Sequence, residues 1–140
     1  MKKILVALDT SPRAAHVLAA AVDLAARTDA QLLLFRVYGL PEGIPVAAYV
    51  LQGDELMALL ERDARHSLAT LAQGVVQARI VGTRAELGVP WQQICEVARK
   101  ESADLIVIGA HGYGGIDRLL GTTAARVVNH ADRSVLVVRT

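Results

Sequence analysis

Four short and almost uninterrupted apolar runs are the feature that most restricts the fold of this chain. They lie at Ile4 to Leu8, Leu32 to Val37, Leu105 to Ile108 and Val135 to Val138. Apolar runs without alternation are typical of strands that are buried on both faces, as in a parallel sheet. A weaker run, Gln77 to Gly82, alternates apolar and polar residues and therefore predicts a strand at a sheet edge.

Segments with the spacing of amphipathic helices separate these runs. We expect Ser11 to cap the first helix, with Pro12 in its first turn, and Pro90 to open the third. Thr122 or Thr123 is expected to cap the fourth. Helices between strands indicate crossover connections, which parallel neighbours require.

The predicted fold class is therefore α/β, with a mainly parallel, doubly wound sheet. We expect strands near residues 3–8, 31–37, 77–82, 104–109 and 134–139. A length of 140 residues predicts one domain over residues 1–140. The stretch Tyr38 to Gly53 contains two prolines and three glycines, which predict irregular structure.

Composition excludes several classes of partner. Fifteen basic and fourteen acidic residues leave a net charge of +1, and no cluster of Lys or Arg indicates binding to nucleic acid. A single cysteine fits a reducing compartment, so a cytoplasmic location is expected. The apolar runs are too short for a signal peptide or a transmembrane helix, so no membrane association is expected.

A glycine-dense segment offers the clearest candidate site. Gly109 to Gly115 follows a buried run, and Gly121 with its two threonines precedes a helix. Glycines let backbone amides approach a ligand, and a helix N-terminus favours an anion, so phosphate is the expected ligand. A plain connecting loop would produce the same glycine spacing. His111 lies inside this segment and could contact a phosphate, although a structural hydrogen bond is the favoured role.

Other chemistry finds little support in the residues. The glycine segment lacks the lysine of a Walker A loop, and the turn after the first strand lacks the glycines of a dinucleotide fingerprint. No catalytic constellation and no metal-ligand spacing is recognisable. Asp9, directly after the first run, is the best acidic candidate for a ligand contact, with a helix cap as its alternative role.

Three segments together resemble the universal stress protein family, and the resemblance spans essentially the whole chain. They are Lys3 to Ser11 (KILVALDTS), Ala103 to Gly112 (ADLIVIGAHG) and His130 to Arg139 (HADRSVLVVR). The resemblance implies a Rossmann-like sheet of five parallel strands in the order 3-2-1-4-5. Strands one and four would then flank a crevice at the topological switch point, where ligands bind in such sheets.

The resemblance also implies a nucleotide site, with ATP as the expected ligand and Mg²⁺ as its counterion. An acidic residue at the position of Asp9 would hold the ribose, and backbone near Val37 would meet the adenine. The phosphates would meet the glycine loop and the hydroxyl that follows it, here Gly109, His111, Gly112, Gly121, Thr122 and Thr123. Tyr38 to Gly53 would form either a mobile wall over the adenine end or an ordinary long connection with a helical tail.

One spacing departs from the pattern of the ATP-binding members. They place nine residues between the second and third glycines, whereas eight separate Gly112 from Gly121 here. The expected function is a nucleotide-binding regulatory module of the stress response, acting as a homodimer through its last strand. The alternatives are a slow nucleotide hydrolase that uses the same crevice, and a nucleotide-free dimeric interaction protein.

Overall fold

The computed structural model describes residues 1–39, 46–110 and 120–139 of the chain. Strands and helices alternate in the predicted manner. In chain order they are β1 (Lys3–Ala7), α1 (Ala14–Thr28), β2 (Gln31–Tyr38), α2 (Val46–Ala72), a 3₁₀ turn (Gln77–Arg79), β3 (Ile80–Leu87), α3 (Pro90–Lys100), β4 (Leu105–Gly109), α4 (Thr122–His130) and β5 (Ser134–Val138).

The strands form one parallel sheet in the order β3-β2-β1-β4-β5, which confirms the predicted topology. Strand β1 lies at the centre, and Ala7 pairs with Phe35 of β2 on one side and Ile108 of β4 on the other. The crossover from β1 to β2 and the crossover from β4 to β5 run in opposite directions along the sheet. The carboxyl ends of β1 and β4 therefore border the switch point.

Alternate strand residues feed two separate apolar cores, because successive side chains of a strand point to opposite faces. On one face, Ile4 and Val6 are fully buried beneath α1 and α2. On the other, Leu5 and Phe35 are fully buried beneath α3 and α4. Both faces of the central strands are covered, which explains their continuous apolar runs.

The third strand is displaced from its predicted place. Residues 77–79 form a 3₁₀ turn instead, in which the Arg79 amide donates to the Val76 carbonyl oxygen. The strand that follows is at the sheet edge, as predicted, but it contains two charged residues that hid it. Arg84 Nε donates to Glu86 Oε1 at 2.7 Å, and Arg84 Nη1 donates to Glu101 Oε1 at 2.6 Å.

The prediction of irregular structure from Tyr38 to Gly53 is wrong for its second half. Helix α2 begins at Val46 and passes through Gly53, so this glycine does not break the helix. A single glycine costs a helix only about 1 kcal/mol, which a helix of 27 residues tolerates. The segment 40–45 lies outside the described residues.

Two predicted helix caps are also corrected. Helix α1 begins at Ala14 without a side-chain cap, because Ser11 to Arg13 form a preceding turn in which the Ser11 carbonyl accepts from the Ala14 amide. Helix α4 has Gly121 at its N-cap, so Thr122 and Thr123 lie within its first turn. The prediction that Pro90 opens α3 is confirmed.

Asp104 fixes the amino ends of the two central strands. Its Oδ2 accepts hydrogen bonds from the backbone amides of Lys2 at 2.8 Å and Lys3 at 2.9 Å. Both bonds favour the carboxylate and lower the pKa of Asp104. Across residues 1–39, 46–110 and 120–139, no helix is both long and apolar enough to cross a membrane.

Arg133 precedes β5 and lies at the same amino end of the sheet as Asp104. Its Nη1 donates to the carbonyl oxygens of Ala98 at 2.8 Å and Ala103 at 2.7 Å. Ala98 lies in the last turn of α3, where carbonyls have no partner within the helix, and its carbonyl also accepts from the Ala103 amide at 2.9 Å. The side chain of Arg133 is only 18% exposed. Water therefore has little access to these carbonyls and does not easily replace the guanidinium as their hydrogen-bond donor.

We expect Arg133→Met to lower the free energy of unfolding by about 2 kcal/mol, because the charge-assisted hydrogen bonds from the guanidinium to two backbone carbonyls are lost. Urea denaturation measures this change. Arg27→Met is the matched control, since Arg27 is 73% exposed and pairs with Asp23 on its own helix. Equal losses for the two variants would contradict the assigned role.

Candidate functional site

Three predicted site residues lie at one edge of the sheet. The Leu8 amide donates to the Phe35 carbonyl at 2.9 Å, which extends the ladder between β1 and β2 by one residue. By continuation of the register, Asp9 lies level with Val37, and Gly109 lies level with Leu8. The fold therefore brings the carboxyl ends of β1, β2 and β4 to the same edge.

Asp9 is exposed and starts a tight turn. Its Oδ1 accepts a hydrogen bond from the Ser11 amide at 2.9 Å. This turn redirects the chain from β1 toward α1, and α1 itself begins three residues after Ser11. The carboxylate thus stabilises the turn and does not cap the helix, so the alternative role foreseen for it is wrong. The hydrogen bond that forms this turn is accepted by Oδ1, one of the two carboxylate oxygens of Asp9.

Val37 and Tyr38 occupy the last positions of β2. Val37 is half-buried and packs against the core beneath α3 and α4. The Tyr38 carbonyl accepts from the Gly88 amide at 3.1 Å, which ties the ends of β2 and β3 together. Burial, together with the charges of Glu61 and Glu86, raises the pKa of the Tyr38 hydroxyl. This hydroxyl therefore stays protonated at neutral pH.

The two ends of the glycine segment are joined by a backbone hydrogen bond. The Gly121 amide donates to the Ala110 carbonyl at 3.0 Å, and the Ala110 amide donates to the Val138 carbonyl at 2.9 Å. The segment thus leaves and returns to the same point at the end of β4. His111 and Gly112, which the sequence analysis also assigned to the site, lie outside the described residues.

Helix α4 starts directly at this closure. Gly121 is buried at its N-cap, Thr122 is exposed and Thr123 is half-buried. The first amides of any helix lack partners within that helix and carry the positive end of its dipole. Both threonines lie in this first turn, which is the region of a helix where an anion is favoured.

Gly109 has a packing role that the sequence analysis did not identify. A Cβ placed on Gly109 would lie 3.0 Å from Cγ2 of Val17 on α1. That distance is shorter than an ordinary contact between carbon atoms. The glycine therefore lets α1 pack closely against the end of β4, whether or not a ligand is present.

The sequence analysis did not identify Arg36, which lies near the carboxyl end of β2. It is the one charged residue in the apolar run of β2, and this interruption was the available signal. Burial lowers the pKa of its guanidinium, while the charges of Asp9 and Asp63 raise it. The Arg36 side chain is half-buried, and its Nη1 donates to Ser67 Oγ on α2.

Cysteine and metal chemistry add little to this site. Cys95 is half-buried on α3, and burial raises the pKa of its thiol, which disfavours the reactive thiolate. Outside the segments 40–45 and 111–119, no three residues among His, Cys, Asp and Glu are grouped closely enough to hold a metal ion.

The family model, a curated relative and solved structures similar to this chain all carry the name of one protein family. The model of the universal stress protein family matches residues 1–139. Universal stress protein A homolog 1 of Coxiella burnetii is 34% identical, over 98% of this chain and 95% of its own. The solved structure of UspA from Lactobacillus plantarum is 28% identical with a TM-score of 0.79, over 99% and 97% of the two chains. A universal stress protein in complex with cAMP is 24% identical with a TM-score of 0.67, over 99% and 96%.

The contact of Gly109 with Val17 leads to a stability test. We expect Gly109→Ala to cost about 1 kcal/mol of unfolding free energy, because the new methyl group overlaps Val17. In a Val17→Ala background the same substitution should cost almost nothing. Gly82→Ala is the control, since its Cβ would lie at an ordinary 3.6 Å from Leu33 Cδ1. An equal cost in both backgrounds, measured by urea denaturation, would refute the packing role.

Proposed function

Because the chain belongs to the universal stress protein family, we propose that it is a regulatory module of the stress response that binds an adenine nucleotide. ATP, with Mg²⁺ as its counterion, is the proposed ligand. The proposed site is the crevice at the switch point between β1 and β4. Open α/β sheets bind their ligands at such points, outside the carboxyl ends of the strands.

The observation that carries this proposal is the hydrogen bond between the Gly121 amide and the Ala110 carbonyl. It places the N-terminus of α4 at the end of β4, next to the switch point. A helix N-terminus in that place attracts an anion through its amides and its dipole. The anions proposed to bind at this helix N-terminus are the phosphates of a nucleotide.

Each predicted residue receives a role in the proposed site. Asp9 accepts hydrogen bonds from the ribose hydroxyls, and the backbone near Val37 contacts the adenine. The phosphates meet the amides and hydroxyls at the start of α4 and the end of β4. The residues proposed for the phosphates are Gly109, Gly121, Thr122 and Thr123, together with His111 and Gly112 outside the described part.

Related structures support the ligand class. A universal stress protein of the same fold has been solved in complex with cAMP, which is an adenine nucleotide. At 24% identity that likeness establishes the fold, so nucleotide binding by the present chain stays a proposal. Gly112 and Gly121 are separated by eight residues, a spacing that favours a nucleotide-free interaction protein as the second candidate.

A titration of ATP tests the site. We expect wild type to bind, and Asp9→Asn to bind at least about tenfold more weakly, which is about 1.4 kcal/mol, because a charged acceptor for the ribose is lost. Isothermal titration calorimetry measures both affinities. Asp23→Asn on the exposed side of α1 is the matched control and should bind like wild type. Identical affinities for wild type and Asp9→Asn would remove Asp9 from the site.

We also propose that two copies pair through β5, which is an edge strand of the sheet. The Val138 carbonyl points toward β4, because it accepts from the Ala110 amide. In a parallel ladder the neighbouring residue points the other way, so the Val137 amide faces outward. Leu136 is 39% exposed on this strand, and an apolar open edge favours pairing with a second copy about a two-fold axis.

Val137→Pro is expected to convert the dimer into a folded monomer. Proline removes an amide that faces the partner, while the ladder between β5 and β4 keeps its bonds. Sedimentation velocity at micromolar concentration gives the oligomeric state, and Val137→Ala, which retains the amide, should remain dimeric. A wild-type monomer at that concentration would disprove pairing through this strand.

A further inference from the structure

Gln93 covers the backbone of Gly88 at the corner where β3 ends and α3 begins. Gly88 has a φ of 149°, a conformation that favours glycine. A Cβ placed on Gly88 would lie 2.9 Å from Cγ and 3.0 Å from Nε2 of Gln93. The half-buried side chain of Gln93 therefore fills the space that Gly88 leaves by having no side chain.

This corner adjoins the end of β2. The Gly88 amide donates to the Tyr38 carbonyl at 3.1 Å, and a Cβ placed on Gly39 would lie 3.3 Å from the Gly88 carbonyl oxygen. Tyr38 directly follows Val37, where the adenine is proposed to bind. The carboxamide of Gln93 thus lies on the backbone that is bonded to the base end of the proposed site.

Helices α3 and α4 cover the same face of the sheet. Ile94 of α3 and Val127 of α4 belong to one apolar core, and Val37 packs against that core. Both helices begin at the carboxyl edge, since α3 follows β3 and α4 follows β4. The starts of the two helices therefore flank the same edge on the same face, with the ends of β2 and β1 between them.

A nucleotide in the proposed site would extend along this edge, with its base at β2, its ribose at β1 and its phosphates at β4. Neighbouring strands lie about 4.8 Å apart, so β2 and β4 are separated by roughly 10 Å, a span that a nucleotide can bridge. This order places the base on the side of α3. Glu86, level with Val37 on the same face, already accepts a hydrogen bond from Arg84 at 2.7 Å.

We propose that Gln93 is a specificity-determining residue that recognises the adenine base. The inference rests on the proposed function and adds a base preference to it. A carboxamide carries an acceptor and a donor side by side, and adenine carries its 6-amino donor beside a ring nitrogen acceptor. Oε1 of Gln93 accepts from the 6-amino group and Nε2 donates to the ring nitrogen, while the backbone near Val37 contacts another part of the base.

The test compares ATP with purine riboside triphosphate, which differs from ATP only by lacking the 6-amino group. Isothermal titration calorimetry measures both affinities for wild type and for Gln93→Met, which keeps the length of the side chain and removes its hydrogen-bonding groups. We expect Gln93→Met to lose about tenfold in affinity for ATP and less than about threefold for the analogue. The preference of wild type for ATP over the analogue should shrink accordingly.

Gln92→Met is the matched control, because Gln92 is the neighbouring glutamine of α3 and is exposed. It should bind both ligands like wild type. Urea denaturation of both variants measures any loss of packing over Gly88 separately from binding. If Gln93→Met does not fold, Gln93→Leu takes its place in the same comparison.

The outcomes separate this inference from the proposed function. Equal losses for ATP and the analogue would assign Gln93 a packing role alone and overturn the inference, while leaving nucleotide binding intact. Unchanged affinity of Gln93→Met for ATP, or equal affinities of wild type for the two ligands, would also overturn it. If wild type binds neither ligand, the proposed function itself is wrong and the inference falls with it.

Discussion

The parallel pairing of β1 with both β2 and β4 is the constraint on which the rest of the structure depends. Asp104 fixes the start of this arrangement by accepting the amides of Lys2 and Lys3. The register then carries the ends of the three strands to one edge. The crossovers on either side of β1 run in opposite directions, so a crevice opens at that edge. The candidate site is thus a consequence of strand register.

Much of this architecture could be predicted because burial on both faces leaves a strong trace in sequence. The central strands β1, β2 and β4 are continuous apolar runs, and each lies close to its predicted place. Strand β3 was misplaced because an edge strand tolerates charge, and Arg84 and Glu86 satisfy each other there. The start of α2 does not follow from the sequence, because glycine commonly breaks helices whereas a helix of 27 residues absorbs the cost of Gly53.

A site residue could be predicted from the sequence only where a residue suited to ligand binding stands directly beside a predicted strand or helix. Asp9 follows the apolar run of β1, and Gly121 directly precedes α4, so the residue pattern could indicate both. The close approach of α1 to Gly109 depends on packing between distant segments, and no local pattern encodes it. Arg36 is visible in the sequence as an interruption of an apolar run, but its hydrogen bond to Ser67 on α2 joins distant segments, so only the fold shows it.

Nucleotide binding is the central claim, and the most direct test is to identify what the protein holds. Purified protein is incubated with ATP, passed through a desalting column and denatured, and the small molecules released are identified and counted by mass spectrometry. We expect an adenine nucleotide at a level approaching one per chain, both in the incubated sample and in protein taken directly from cells. Absence of any adenine nucleotide from both samples would contradict it.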